Sequence, residues 1–289
     1  MSSEWNEEDF INEDAITQDE LERIEINLLL EGIYSIYGFD FRSYLRSSLR
    51  RRIYHRMNLE GLPTITSLLE KVLHEPNFID NLLNDFSIKV TEMFRDPSFF
   101  ASFRKDVIPH LRELPEIRIW HAGCATGEEV YSMAILLEEE ELLNKAKIYA
   151  TDMNELVIES AKQGKFPLKR MQTFTKNYLR AGGTKEFSSY YTTNYEHALF
   201  HPHIKENIMF AQHNLATDRS FNEFHVILCR NVLIYFNSEL QNHVHHLFFE
   251  SLALNGFLAL GNMESLLTPL KNKYEDFNAP ERIFRKVSS

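Results

Sequence analysis

The 289 residues include 44% hydrophobic and 25% charged side chains, which suits one large or two modest globular domains and excludes a disordered, collagen-like or low-complexity chain. Two cysteines, Cys124 and Cys229, exclude a disulfide scaffold; no apolar run approaches the roughly 18–20 residues that cross a bilayer, and the start lacks the basic and apolar regions of a secretory signal, so a soluble cytoplasmic protein is expected. The formal net charge of −11 is unevenly spread: residues 1–31 hold eleven acids against the base Arg23, while residues 42–56 hold six arginines and no acid.

Residues 1–19 lack a sustained apolar period and read as an acidic, disordered leader. Residues 20–90 read as a helical domain. Its first apolar stripe is Ile24, Leu28, Ile33 and Ile36; Phe41, Leu45, Leu49 and Ile53 follow at four-residue steps with arginines between them. Pro63 and Pro76 bracket a third helix over 64–74, and a fourth spans 78–87.

From residue 91 the chain reads as an α/β domain. A strand over 117–122 runs through a glycine turn into a helix over 128–141, and a second strand over 147–151 ends at Asp152, with Asn154 as the N-cap of the next helix. Strands are expected at 224–229, 256–260 and 282–287, with a helix over 238–254; strands alternating with helices predict a mainly parallel sheet. Residues 165–212 break the alternation and predict a small β insertion, its strands joined by a turn at Gly182-Gly183.

In an open α/β sheet the ligand binds beyond the carboxyl ends of the strands, where their order reverses. There Gly123-Cys124-Ala125-Thr126-Gly127 brings bare backbone to a cofactor, or is only a tight turn. Asp152 lies 25 residues after Gly127, at the spacing of a carboxylate that accepts hydrogen bonds from both ribose hydroxyls. Glu128 and Glu129 open the helix with no lysine or arginine beside the glycines. They disfavour a phosphate and suit a cationic nucleoside such as S-adenosylmethionine, unless they merely complement the helix dipole. No Gly-x-x-x-x-Gly-Lys-Ser/Thr phosphate loop is present, which argues against an ATPase. His243, His245 and His246 read as solvated helix histidines rather than metal ligands, and both cysteines as small packing residues.

The run from Ile119 to Ser132 resembles the cofactor loop of the CheR family of chemotaxis protein-glutamate O-methyltransferases. Thr91-Glu92-Met93-Phe94-Arg95-Asp96 is similar to the family's entry to its catalytic domain, and Cys229-Arg230-Asn231-Val232-Leu233-Ile234-Tyr235-Phe236 to its block after the fourth strand. Over about residues 20–287 the resemblance implies a helical N-terminal domain and a class I, Rossmann-like S-adenosylmethionine-dependent methyltransferase domain over 91–289, yielding S-adenosylhomocysteine and γ-methyl esters on chemoreceptor cytoplasmic helices. It implies cofactor contacts from Thr91, Arg95, Ala122, Gly123, Glu129, Asp152, Asn214, Leu215, Arg230 and Asn231, with Arg95 and Tyr235 at the reacting groups. Lys89 departs from the asparagine common in the family, so no contact is assigned to it.

The arginine helix suits nucleic acid, an anionic membrane surface or an acidic protein. The resemblance selects the last, a chemoreceptor cytoplasmic domain steered by Arg42, Arg46, Arg50 and Arg51, with no nucleic acid and no membrane insertion. The alternatives for these arginines are a plain solvated face or pairing with the acidic leader in cis. The glycine pair in the insertion is similar to family members that dock a receptor's C-terminal peptide by strand addition. Two other functions fit the same residues: a methyltransferase for another protein of a chemosensory-like pathway, and a non-catalytic cofactor-binding module. Intact Arg95, Asp152 and Tyr235 favour activity.

Overall fold

The computed structural model describes residues 16–86 and 91–288; most of the acidic leader and Lys89 lie outside them. The N-terminal part comprises α1 (Gln18–Tyr37), α2 (Arg46–Glu60), α3 (Ile65–His74) and α4 (Phe78–Phe86). A capping box between Thr17 and Glu20 starts α1, and Gly38, left-handed at φ 77°, ends it.

The buried stripe of α1 is Ile26, Leu29, Leu30 and Ile33, packed with Phe41, Leu49, Ile53, Leu68 and Val72. Of the expected stripe only Ile33 is buried; Ile24, Leu28 and Ile36 are exposed, Leu28 to 53%. Both sets carry helical periodicity. The rotation is fixed by the acids between them, since Glu22 pairs with Arg50 and Glu25 accepts from Thr66. Leu45 is also exposed, because it caps α2 rather than lying within it.

Short helices α5 (Pro97–Ser102) and α6 (Ile108–Arg112), joined by a π-turn, lead to β1 (Ile117–Ala122), α7 (Glu128–Glu139), β2 (Ala146–Asp152) and α8 (Glu155–Gln163). Then come β3 (Lys165–Pro167), α9 (Met171–Arg180), β4 (Tyr191–Thr193), β5 (His197–Phe200), α10 (Pro202–Lys205) and β6 (Ile208–Gln212). The chain closes with β7 (Phe224–Cys229), α11 (Ser238–Ser251), β8 (Leu252–Leu260), β9 (Tyr274–Asn278) and β10 (Ile283–Lys286).

The main sheet has the order β6-β2-β1-β7-β8-β10-β9. Strands β6, β2, β1, β7 and β8 run parallel; β10 is antiparallel to β8, and the edge strand β9 is antiparallel to β10 and so runs in the common direction again. Successive residues of β1 serve opposite faces: Ile117 and Ile119 join the core beneath α7, Trp120 and Ala122 the core beneath α11. The chain builds outward from β1 through β2 to β6, then returns to β7 on the other side, so the order reverses between β1 and β7.

The insertion is a second sheet, β3-β5-β4, and it closes before Ile208, because Ile208–Gln212 is the edge strand of the main sheet. Its strands are not joined at Gly182-Gly183. Gly182, at φ 81°, follows the end of α9, and the β4–β5 turn is made at residues 194–196, where Asn194 accepts from the amides of Glu196 and His197.

Candidate active site

At the carboxyl edge of the sheet, between β1 and β7 and under α2, lies a cavity of ≈ 380 Å³, within the range of small-molecule and cofactor sites. The glycine loop forms one wall. Gly123 sits at φ 81°, and a Cβ there would lie 2.6 Å from Val232 Cγ2, so only glycine lets the two loops meet. The amides of Gly123 and Cys124 both donate to the Thr151 carbonyl at 2.8 Å, which fixes the loop on β2.

Asp152 ends β2 at the cavity. Its Oδ2 accepts from the Ala125 amide and its Oδ1 from the Asn154 amide, each at 3.0 Å. A carboxylate has about four acceptor sites, so capacity remains for a pair of hydroxyls. Burial pushes its pKa above the usual carboxylate value, against the pull of the amides of Asn154, Ala125 and Met153.

The two acids that open α7 have different roles. Glu128 is buried and does not line the cavity; it pairs with Arg170 of the insertion at 2.7 Å, while burial raises its pKa. Glu129 lines the cavity, accepting from Arg230 at 2.9 Å and lying 3.0 Å from His121 Nδ1. Burial opposes its charge, but His121 and Arg230 outweigh that and hold its pKa low. Arg230 also pairs with Asp96 at 2.8 Å and covers the Phe99 ring at 4.0 Å, so it ties the entry segment to the cofactor loop.

Thr91, Arg95, Asn214, Leu215 and Asn231 line the same cavity, and Tyr235 stands at its α2 side. Ala122 is buried in the sheet core and is not among the lining residues. Of the four arginines expected at the docking surface, only Arg51 lines the cavity. Arg42 pairs with Asp40 and Glu31, Arg50 with Glu22, and Arg46 donates to Asn27. Part of the arginine cluster is thus paired in cis with acids of the N-terminal part.

Sequence reasoning passed over Arg52. Its residue exposure is 7%; Nη1 donates to the Phe86 carbonyl, the guanidinium lies 5.3 Å from the Tyr235 ring centre, and Nη2 has no hydrogen-bond partner among the described residues. Burial lowers its pKa. Tyr44 and Met153 were also missed: both line the cavity, and the Tyr44 hydroxyl meets Met153 Sδ at 3.4 Å.

His245, expected in solvent, is buried in α11 at 1% exposure, and burial pushes its pKa down to about 4. Both cysteines are buried, which raises their thiol pKa values well above normal and keeps them protonated. Among the described residues no cluster of His, Cys, Asp and Glu could hold a metal ion, and no helix is long and apolar enough to cross a membrane.

The bare backbone at Gly123, the spare acceptor capacity of Asp152 and the anionic Glu129 fit a cationic nucleoside. Comparison with known proteins agrees. Residues 24–87 match the all-alpha domain of CheR methyltransferases and residues 89–283 their S-adenosylmethionine-binding domain. The Cher3 protein of Pseudomonas putida is 47% identical over 91% of this chain and 97% of its own length. An uncharacterised 104.1 kDa protein of Rhodobacter capsulatus is 32% identical over 93% of this chain and 28% of its own length. A chemotaxis protein methyltransferase of Listeria innocua is 28% identical over 80% of this chain and 86% of its own length. With both halves matched in order onto the observed helical and α/β parts, the chain belongs to the CheR methyltransferase family, and S-adenosylmethionine is the cofactor of its α/β domain.

Proposed function

We propose that the protein methylates glutamate side chains on the cytoplasmic helices of chemoreceptors, forming methyl esters in the cytoplasm. The observation that carries this reading is Arg52: a nearly buried guanidinium beside Tyr235 with one nitrogen unpaired among the described residues. A desolvated cation with spare donors is costly until an anion meets it, and a carboxylate matches a guanidinium in shape and charge. The name of the Listeria relative, a chemotaxis protein methyltransferase, supports the pathway.

A glutamate carboxylate is ionised at neutral pH, so it attacks without a general base. The bound cofactor supplies a methyl group on a positively charged sulfur. Asp152 holds the ribose, and Glu129 favours the cationic end of the ligand. Arg52 and Arg95 orient the carboxylate, and the Tyr235 hydroxyl donates to it. The carboxylate held by Arg52 and Arg95 and the cofactor's sulfonium would carry opposite charges, a pairing that a water-poor cavity would favour. Arg51, exposed at the rim, steers acidic helices toward the opening, with Arg42, Arg46 and Arg50 extending the basic surface.

The test is incubation with S-adenosylmethionine labelled in its methyl group and a purified receptor cytoplasmic fragment. Label on the fragment supports the reading. Label absent from the fragment despite tight cofactor binding would contradict it, in favour of another protein substrate or a binding module.

A further inference from the structure

The loop that carries Asn231 and Tyr235 is organised by a residue 30 positions away, at 5% exposure and outside the cavity lining. Glu264 follows β8, and each of its oxygens accepts two backbone amides. Oε1 takes Val232 at 2.8 Å and Ile234 at 3.3 Å; Oε2 takes Asn231 at 3.0 Å and Gly261 at 2.6 Å. Asn231 is left-handed at φ 63°, which turns these amides inward. Glu264 has no ion-pair partner among the described residues, so the amide dipoles alone compensate its charge, as in an anion nest.

We propose that Glu264 is a positioning residue for methyl transfer: its carboxylate holds the 231–234 turn in the shape that places Asn231 in the cavity and Tyr235 beside Arg52. The proposal rests on the reading of Tyr235 given above. Glutamine cannot replace it. An amide has one acceptor oxygen, so its NH2 group would face two of the four donors, and those amides would lose their partner. Gly261 belongs to the same device. A Cβ there would lie 2.8 Å from both the Asn231 amide and Glu264 Oε2, and its φ is not left-handed, so alanine would strain the turn only by contact.

The test uses the full chain with Glu264→Gln, Gly261→Ala, Tyr235→Phe and the Glu264→Gln/Tyr235→Phe double variant. Amide hydrogen exchange at 231–234 should rise about tenfold or more in Glu264→Gln, the scale of a lost hydrogen bond to a charged group. Turnover should fall at least about tenfold with receptor KM little changed, and Gly261→Ala should shift both readouts the same way. In the Tyr235→Phe background Glu264→Gln should cost less than about threefold, because residues acting through one another are not additive. Unchanged exchange at 231–234, or an equal cost in both backgrounds, would overturn the proposal. Wild-type turnover in Tyr235→Phe would instead overturn the reading of Tyr235, and the exchange data would still decide whether Glu264 holds the turn.

Discussion

The amide of Leu45, the N-cap of α2, donates to the main-chain carbonyl of Tyr235 at 2.8 Å. Asn237 donates back to Ser43 at 2.9 Å, and Tyr44 pairs with Phe236 as an antiparallel bridge. The arginine helix and the tyrosine of the cavity are thus stitched together through main chain. Leu45 has φ −61°, which proline adopts without strain, and Tyr44 before it lies in a β-bridge, the kind of pairing that a residue before proline can keep. Leu45→Pro therefore deletes one hydrogen bond. Losing about 0.5–1.5 kcal/mol of hydrogen bonding is offset by about 0.4–1 kcal/mol of unfolded-state entropy, so thermal stability should barely move. Turnover should fall severalfold; unaltered kinetics would show that the stitch does not tune Tyr235.

Arg52 should oppose function to stability. Arg52→Met removes a buried, incompletely paired charge, and such replacements are often neutral or stabilising. Urea unfolding should give a midpoint unchanged or higher, while turnover falls about 10- to 100-fold, the value of one or two hydrogen bonds to a charged group. Cofactor affinity measured by calorimetry should change little. A large affinity loss with normal turnover would reassign Arg52 to the cofactor.

The arginines of α2 should not be equivalent. Arg51→Glu, at the cavity rim and with no ion pair among the described residues, should raise receptor KM more than reversal of Arg50, whose charge is already balanced by Glu22. The difference should be largest at low ionic strength, where the Debye length is about 30 Å at 0.01 M, and shrink near 0.15 M. Equal, salt-independent effects of the two reversals would argue against steering.

His245 makes stability pH-dependent with a definite sign. Its folded pKa of about 4 lies below the unfolded value of about 6.5, so between these limits the unfolded chain binds more protons. Stability contributed by neutral His245 is complete above about pH 6.5 and is lost as pH falls toward 4, by roughly 3 kcal/mol in all. Denaturant titrations at several pH values should show this slope in the wild type and a shallower one in His245→Gln. Parallel slopes would remove His245 as the source.

The site was legible in the sequence where backbone chemistry restricts the choice of residue. Gly123 must be glycine because Val232 occupies the space of its Cβ, and Asp152 follows from the length of one strand-helix-strand unit. Residues whose roles depend on distant partners were not legible. Glu264 serves a turn 30 or more positions earlier, and nothing local marks its carboxylate as an amide acceptor. Arg52 stands among six similar arginines, and only the packing of Phe86 and Tyr235 around α2 sets it apart. In α1 two apolar sets share the helical period, so periodicity alone could not choose between Leu28 and Leu29. The glycine pair at 182–183 satisfies a turn and a helix end equally well, so nothing local marks α9 as a helix inside the β insertion.

The chemical form of the product tests the central claim most directly. After incubation with methyl-labelled cofactor and a receptor cytoplasmic fragment, the washed fragment should release its label as volatile methanol in mild base, because an ester hydrolyses where a methylated amine does not. The releasable label should disappear when the fragment's methyl-accepting glutamates are changed to alanine. Label that survives base, or persists in the alanine fragment, would contradict glutamate methyl-ester formation.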